Sequence, residues 1–162
     1  MKRIRFKRIA LWLLVIAITG VIFFFSSMEG PESMDFSNGS TIWFIRLFHP
    51  DYEQMPPEEQ EEIYQLFVFI VRKTAHFTEF AALGFSLWQL LHDYQVRRAG
   101  LWSWVIGTLY ACLDEIHQGF VGTRTASLTD VGIDSAGVLF GTLFIYCVFR
   151  FVEQRKKKRT AS

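Results

Sequence analysis

Apolar and polar positions alternate along this chain in long blocks rather than residue by residue. The first block, residues 9–25, runs 17 positions without a charge. That is near the lower limit for a helix crossing a membrane, roughly 17–25 residues. It follows a basic head carrying Lys2, Arg3, Arg5, Lys7 and Arg8. A basic start before an apolar run is also the mark of a signal peptide. Phe23, Phe24 and Phe25 ahead of Ser26-Ser27 make a poor small-residue cleavage site, so an uncleaved helix is expected. Pro56-Pro57-Glu58-Glu59 opens a second helix, with proline in the first turn and acids near the positive end of the dipole. This helix is predicted over about 57–91, with its membrane part at 72–91. A short polar turn separates it from a third run, 101–121, and a fourth follows at 131–151. Barrel strands need only about 10 residues and alternate in polarity, so these runs predict helices.

The gaps between the runs set the orientation. Residues 26–62 hold nine acidic residues, one basic residue (Arg46) and all four prolines. Within them, residues 41–48 (TIWFIRLF) are predicted to form an amphipathic turn or two at the bilayer interface. The head contributes five Lys and Arg, the 92–100 turn two, and the chain from Arg150 onward six, which puts 13 of 17 on one side. By the positive-inside rule both termini are cytoplasmic and the acidic loop is external. The expected architecture is therefore an all-α integral membrane protein, a four-helix transmembrane bundle in one domain over 1–162. Its basic tail, 152–162, is read as a stop-transfer anchor for anionic lipid rather than a nucleic-acid site. Composition agrees: 51% of residues are hydrophobic, with 17 Phe and 5 Trp. Cys112 and Cys147 lie in apolar runs, where they read as packing residues and not a disulfide framework.

Against this background the ionisable residues inside the runs stand out, because charge within a membrane is costly and is a functional-site hypothesis by default. Two stretches carry them: Arg72-Lys73-Thr74-Ala75-His76-Phe77-Thr78-Glu79, and the segment from Asp114 through Asp134. At about 100° per residue, Arg72, His76 and Glu79 fall within roughly 60° of one another, with Lys73 beside them. Gly107, Tyr110, Asp114 and His117 share a face of the third helix, with Gln118 at its edge and Glu115 roughly 100° away. Asp130, Asp134, Gly137 and Gly141 form one stripe on the fourth. By the helical rise, Glu79 and Asp114 lie about 10 Å inside the outer boundary, and His76 and His117 about 6 Å inside. The expectation is that His76, Glu79, Asp114, His117 and Asp134 share a cavity in the outer leaflet, beneath Arg124 of the short outer loop.

Two chemistries fit. Arg72, Lys73 and Arg124 favour an anionic phosphate or carboxylate group, such as the headgroup of a lipid-linked cell-wall precursor. Alternatively His76, Glu79, Asp114 and His117 are candidates for acid–base catalysis, with Asp114 orienting His117. The HExxH spacing of a zinc enzyme is absent, and no resident metal or cofactor is expected. The chain leaves enzyme and binding module undecided, and it does not give the oligomeric state.

The spaced motifs Phe25-Ser26-Ser27, Arg72-Lys73-x-x-His76-x-x-Glu79-Phe80, Asp114-Glu115-x-His117-Gln118-x-Phe120, Gly122-x-Arg124, Asp130 and Gly137 together resemble the VanZ family. These are small bacterial membrane proteins named for a member found among glycopeptide-resistance genes. The resemblance covers nearly the whole chain and implies low-level resistance to glycopeptides such as teicoplanin, exercised at the cell membrane. It brings no settled reaction; the candidate partners are the lipid bilayer and, from the chemistry above, a lipid-linked cell-wall precursor or the glycopeptide. The ligand-binding candidates are Arg72, Lys73, His76, Glu79, Asp114, Glu115, His117, Gln118, Arg124, Asp130 and Asp134. Two positions depart from the pattern: Val121-Gly122-Thr123-Arg124 replaces an expected Pro-Gly-Arg, and Phe80 stands where tyrosine is expected.

Overall fold

The computed structural model describes residues 2–27, 39, 41–120 and 126–160. Among the described residues all regular structure is helical and there is no strand: α1 (Lys2–Ser26), α2 (Pro57–Asp93), α3 (Ala99–Gln118) and α4 (Leu128–Thr160), with a helical segment over 41–48 and a 3-10 turn at Tyr52–Gln54. Pro57 sits in the first turn of α2, followed by Glu58 and Glu59, where a missing N–H costs nothing and negative charge meets the helix dipole. At the other end of α2 the chain reverses within a few residues. Gln95 (φ 58°) and Arg98 (φ 61°) adopt left-handed backbone there, and Arg98 immediately precedes α3 without a side-chain capping bond.

Several helix boundaries differ from the sequence reading. The third helix spans Ala99–Gln118 and not 101–121, because Gly119 ends it. The fourth does not stop at 151. It continues through the basic run to Thr160, since straight-chain Lys and Arg are good helix formers and the Arg155 guanidinium lies 4.4 Å from the centre of the Phe151 ring one turn back. Likewise α1 takes in the basic head from Lys2.

The apolar core draws on every long helix: Leu11, Val15 and Ile22 from α1, Phe80, Leu83, Leu87 and Leu90 from α2, Ala111 from α3 and Val138 from α4. Phe80 is fully buried and its ring lies 6.1 Å from Tyr110, so this position serves packing. Between α2 and α4 the backbones themselves meet. A Cβ on Gly137 would stand 2.5 Å from the Phe77 carbonyl oxygen, and Gly84 and Gly141 face the carbonyls of Val138 and Ala81 more closely still. The glycine pair Gly137 and Gly141 thus serves a contact within the chain, which is how small residues let helices approach when no water drives them together. Polar side chains add ties: Tyr110 donates to the Thr19 carbonyl at 2.8 Å, Thr142 to the Gly84 carbonyl at 3.3 Å, and Trp104 Nε1 to Ser135 Oγ at 3.0 Å.

Polarity is inverted relative to a water-soluble bundle. Ser26, Asp114, Glu115, Gln118, Asp134 and Thr142 are buried, while Leu13, Ile16, Leu109, Leu113, Phe140 and Phe144 face outward. Apolar side chains exposed in such number along all four long helices mark contact with membrane or partner. Two segments, Arg5–Ser26 and Leu128–Arg159, are long and apolar enough to cross a membrane. The polar groups of α2 and α3 lower the hydropathy of those two helices.

At the end where α1 begins and α2 finishes, Asp93 accepts from Lys7 Nζ (2.6 Å) and from Arg8 Nε (3.1 Å). These two bonds, Lys7 first, hold the Asp93 carboxyl below the usual aspartate range, against a smaller upward push from burial. A depressed folded pKa means the stabilisation is fully present above the unfolded value and is lost as pH falls through the folded one. Unfolding followed in detergent should therefore show this clamp intact at neutral pH and released only in strong acid. With Lys7 largely exposed, Asp93→Asn should cost on the order of 1 kcal/mol at neutral pH, less at high salt, and nothing in strong acid. A cost that persists unchanged in strong acid would exclude the ion pair as its source.

Candidate functional site

At the opposite end of the bundle, the finish of α1, the upper part of α2, the finish of α3 and the start of α4 converge. Each reaches this point because its polar residues repeat at helical spacing and so emerge on one face. Asp114 lies at the centre. Ser26 Oγ and Gln118 Nε2 both donate to its Oδ2, each at 2.8 Å, and Gln118 Nε2 also reaches Ser26 Oγ at 3.3 Å. Gln118 stands one turn beyond Asp114, so a single helix supplies both acceptor and donor.

Asp134 enters from α4. It is 1% exposed, and neither carboxylate oxygen has a hydrogen-bond partner among the described residues. His76 Nδ1 approaches its Oδ1 to 3.8 Å. One ligating atom from each of His76, Asp114 and Asp134 lies within 4.8 Å of the other two. Glu79, one turn below His76 on α2, is within electrostatic reach of Asp114. Lys73 donates to Asp130 in a partly buried ion pair that ties α2 to the first turn of α4.

The remaining residues singled out in the sequence have other places. Glu115, turned away from Asp114 on the α3 wheel, is nonetheless buried, because α4 begins on that side. Its Oε2 accepts from the Ser127 backbone N–H at 2.8 Å, while the Ser127 carbonyl accepts the first bonds of α4. Glu115 thus holds the start of the fourth helix, where negative charge meets the positive end of the dipole. His117 is not oriented by Asp114. Its Nε2 lies 3.1 Å from Ser27 Oγ and its ring stacks on Phe23, with centroids 4.7 Å apart. Arg72 is half-buried with no hydrogen-bond or ion-pair partner among the described residues. Arg124 lies outside the described residues.

Ser26 and Ser27 are the site residues that the wheel-and-depth reasoning passed over. They stand at the end of α1 and just beyond it, where a serine pair reads as an ordinary helix end. The signal was their position, since α1 finishes at the depth where the ionisable residues of α2 and α3 begin.

The arrangement gathers Glu79 with three carboxylates that each accept through one oxygen (Asp114, Asp130 and Glu115) and with Asp134, which accepts no hydrogen bond among the described residues, in surroundings where an unpaired charge is expensive. It can hold a cation, and Arg72 beside it offers charge to an anion. The chain matches no curated protein and no solved structure. The VanZ/LLP1 family model matches it over residues 11–150. That span takes in most of the chain, including part of every long helix and every described residue of the polar cluster, and on it this protein belongs to the VanZ family.

Proposed function

We propose that the chain is a multi-pass protein of the bacterial cell membrane whose four long helices all span the bilayer. Its polar cluster faces outward and engages the anionic part of a lipid-linked cell-wall precursor, contributing to low-level resistance to teicoplanin-type glycopeptides. The observation that carries this reading is the inverted polarity: ionisable groups from three helices gathered at one end of a bundle whose outer surface is apolar. Orientation rests on the charge distribution. Lys7, Arg8 and the 92–100 turn share one end with the basic tail, so positive-inside placement puts the cluster at the other, external end. Trp43, Phe44, Leu47 and Phe48 are exposed on the 41–48 helical segment, as suits a helix lying in the interface beside that opening.

Recognition is favoured over acid–base catalysis by the hydrogen bonding of Ser27. Its hydroxyl has one hydrogen, and Oγ lies 2.7 Å from the Phe23 carbonyl, which can only accept. His117 Nε2 then donates to Ser27, which leaves that nitrogen without a lone pair for proton abstraction and Ser27 without a base.

The test is expression in a glycopeptide-susceptible Gram-positive host, with terminal reporters reading cytoplasmic and one at Ser40 reading external. Teicoplanin susceptibility should fall relative to the empty vector. Arg72→Ala, which breaks no described bond, should reverse the gain and weaken binding to vesicles carrying a polyprenyl pyrophosphate by roughly 10- to 100-fold, the loss of one charge-assisted contact. Correctly inserted protein that leaves susceptibility unchanged would refute the reading.

A further inference from the structure

We infer that His76, Asp114 and Asp134 together bind a divalent metal ion. This goes beyond the ligand reading above and is independent of it: an ion can occupy the cluster whether or not a headgroup docks there. It also runs against the absence of a metal expected from sequence spacing. Spacing along one chain does not reveal this set, since His117 turns to Ser27 while Asp134 joins His76 and Asp114 from a different helix.

The first observation is geometric. Three ligating atoms from three helices lie within 4.8 Å of one another, with His76 Nδ1 and Asp134 Oδ1 at 3.8 Å. Two ligands each about 2.1 Å from one ion are roughly 3.4 Å apart at a tetrahedral angle and at most about 4.2 Å apart. The His76–Asp134 pair therefore needs to close by about 0.4 Å and the wider pairs by up to about 1.4 Å, which side-chain rotation supplies.

The second observation is independent of the clustering. Asp134 is almost wholly buried and both its oxygens lack a hydrogen-bond partner among the described residues. Buried carboxylates are satisfied by hydrogen bonds, by a cation or by losing their charge. Hydrogen bonds are missing here. The nearby lysine, Lys73, is already engaged by Asp130, and His76 stands 3.8 Å off, beyond hydrogen-bond reach. Other carboxylates surround the position, so a divalent ion neutralises Asp114 and Asp134 at once.

The outer support of such a site is also in place. Ser26 and Gln118 both hold Oδ2 of Asp114, fixing the carboxylate's orientation as the outer partners of a metal ligand do. One imidazole with two carboxylates is a mixed nitrogen–oxygen donor set suited to zinc or manganese more than to calcium. Three protein ligands leave coordination positions open.

The experiment uses full-length, tag-free protein in nanodiscs, stripped with chelator and dialysed against low-micromolar Zn²⁺ or Mn²⁺. Elemental analysis should find about one ion per chain, and chelator should lower the unfolding temperature while added metal restores it. Asp134→Asn removes a ligand and should weaken binding by more than the roughly 10- to 100-fold typical of losing an outer partner. His49→Gln, on the segment packed against Phe67 and away from the cluster, should bind as the wild type does. Folded wild type that retains neither ion, or an Asp134→Asn variant that binds as tightly, overturns the inference. If Asp134→Asn fails to fold, the chelator response of the wild type decides: an unfolding temperature indifferent to metal means that Asp134 is kept neutral by a proton instead.

Discussion

Replacing Gly141 with valine is expected to remove most of the protein from the membrane. At this position α4 crosses α2 so closely that a Cβ would run into the Ala81 carbonyl, and Gly84 and Gly137 make similar approaches on either side. The obstacle is backbone, so no side chain can rotate out of the way. The helices must separate, and with them go the Thr142–Gly84 bond and the packing of Val138 against Gly107. Overpacking a core usually costs about 1–3 kcal/mol, and a backbone obstacle puts this change at the upper end or beyond. About 3 kcal/mol would lower the unfolding temperature by roughly 6–12 °C for a chain of this size. Gly132→Ala is the matched control. Nothing lies within 4 Å of its added Cβ on the same helix, and a helical Gly→Ala change is worth roughly 0.5–1 kcal/mol in stability. Equal unfolding temperatures for Gly141→Val and Gly132→Ala would mean that the two helices do not meet at Gly141.

The sequence carried the helices because their signals are local. Proline at 57, apolar runs and basic flanks each act within one turn or one loop. It carried less of the site, because the site depends on register between helices, which a single chain's periodicity does not contain. The wheel placed Asp114 and His117 on one face of α3, yet could not say that Ser26 would reach Asp114 and Ser27 would reach His117. It turned Glu115 away from the cluster, and the direction was right. Its meaning was missed, because the place to which Glu115 turns is the start of α4, supplied by a residue twelve positions on. The glycine pair at 137 and 141 announced a close helix contact without naming Phe77 and Ala81 as the surface it meets. The basic run was read as a tail on charge alone, although Lys and Arg are good helix formers and the helix continued.

Asp114→Asn should return the host to the susceptibility of the empty vector while leaving the protein folded. Asparagine has the same shape, and its Oδ1 can still accept from Ser26 and Gln118, the two donors that hold Asp114. The bonds weaken from charge-assisted to neutral, about 1–2 kcal/mol at most, and relief from burying a charge offsets part of that loss. Membrane abundance and unfolding temperature should therefore stay close to wild type. If the buried polar residues serve only to pin helices together, asparagine does that task too and resistance survives. If the cluster is a site that works through its negative charge, resistance disappears from a folded protein. His117→Gln supplies the second contrast. Glutamine can still donate to Ser27 but cannot titrate, and loss of a general base typically costs a factor of about 10² to 10⁴. Because His117 is turned to Ser27 and stacked on Phe23, its replacement should move susceptibility by no more than the scatter of the assay. A folded His117→Gln protein that still binds ligand and confers nothing would instead make proton transfer the function of the site. An Asp114→Asn protein with full resistance would reduce the cluster to packing.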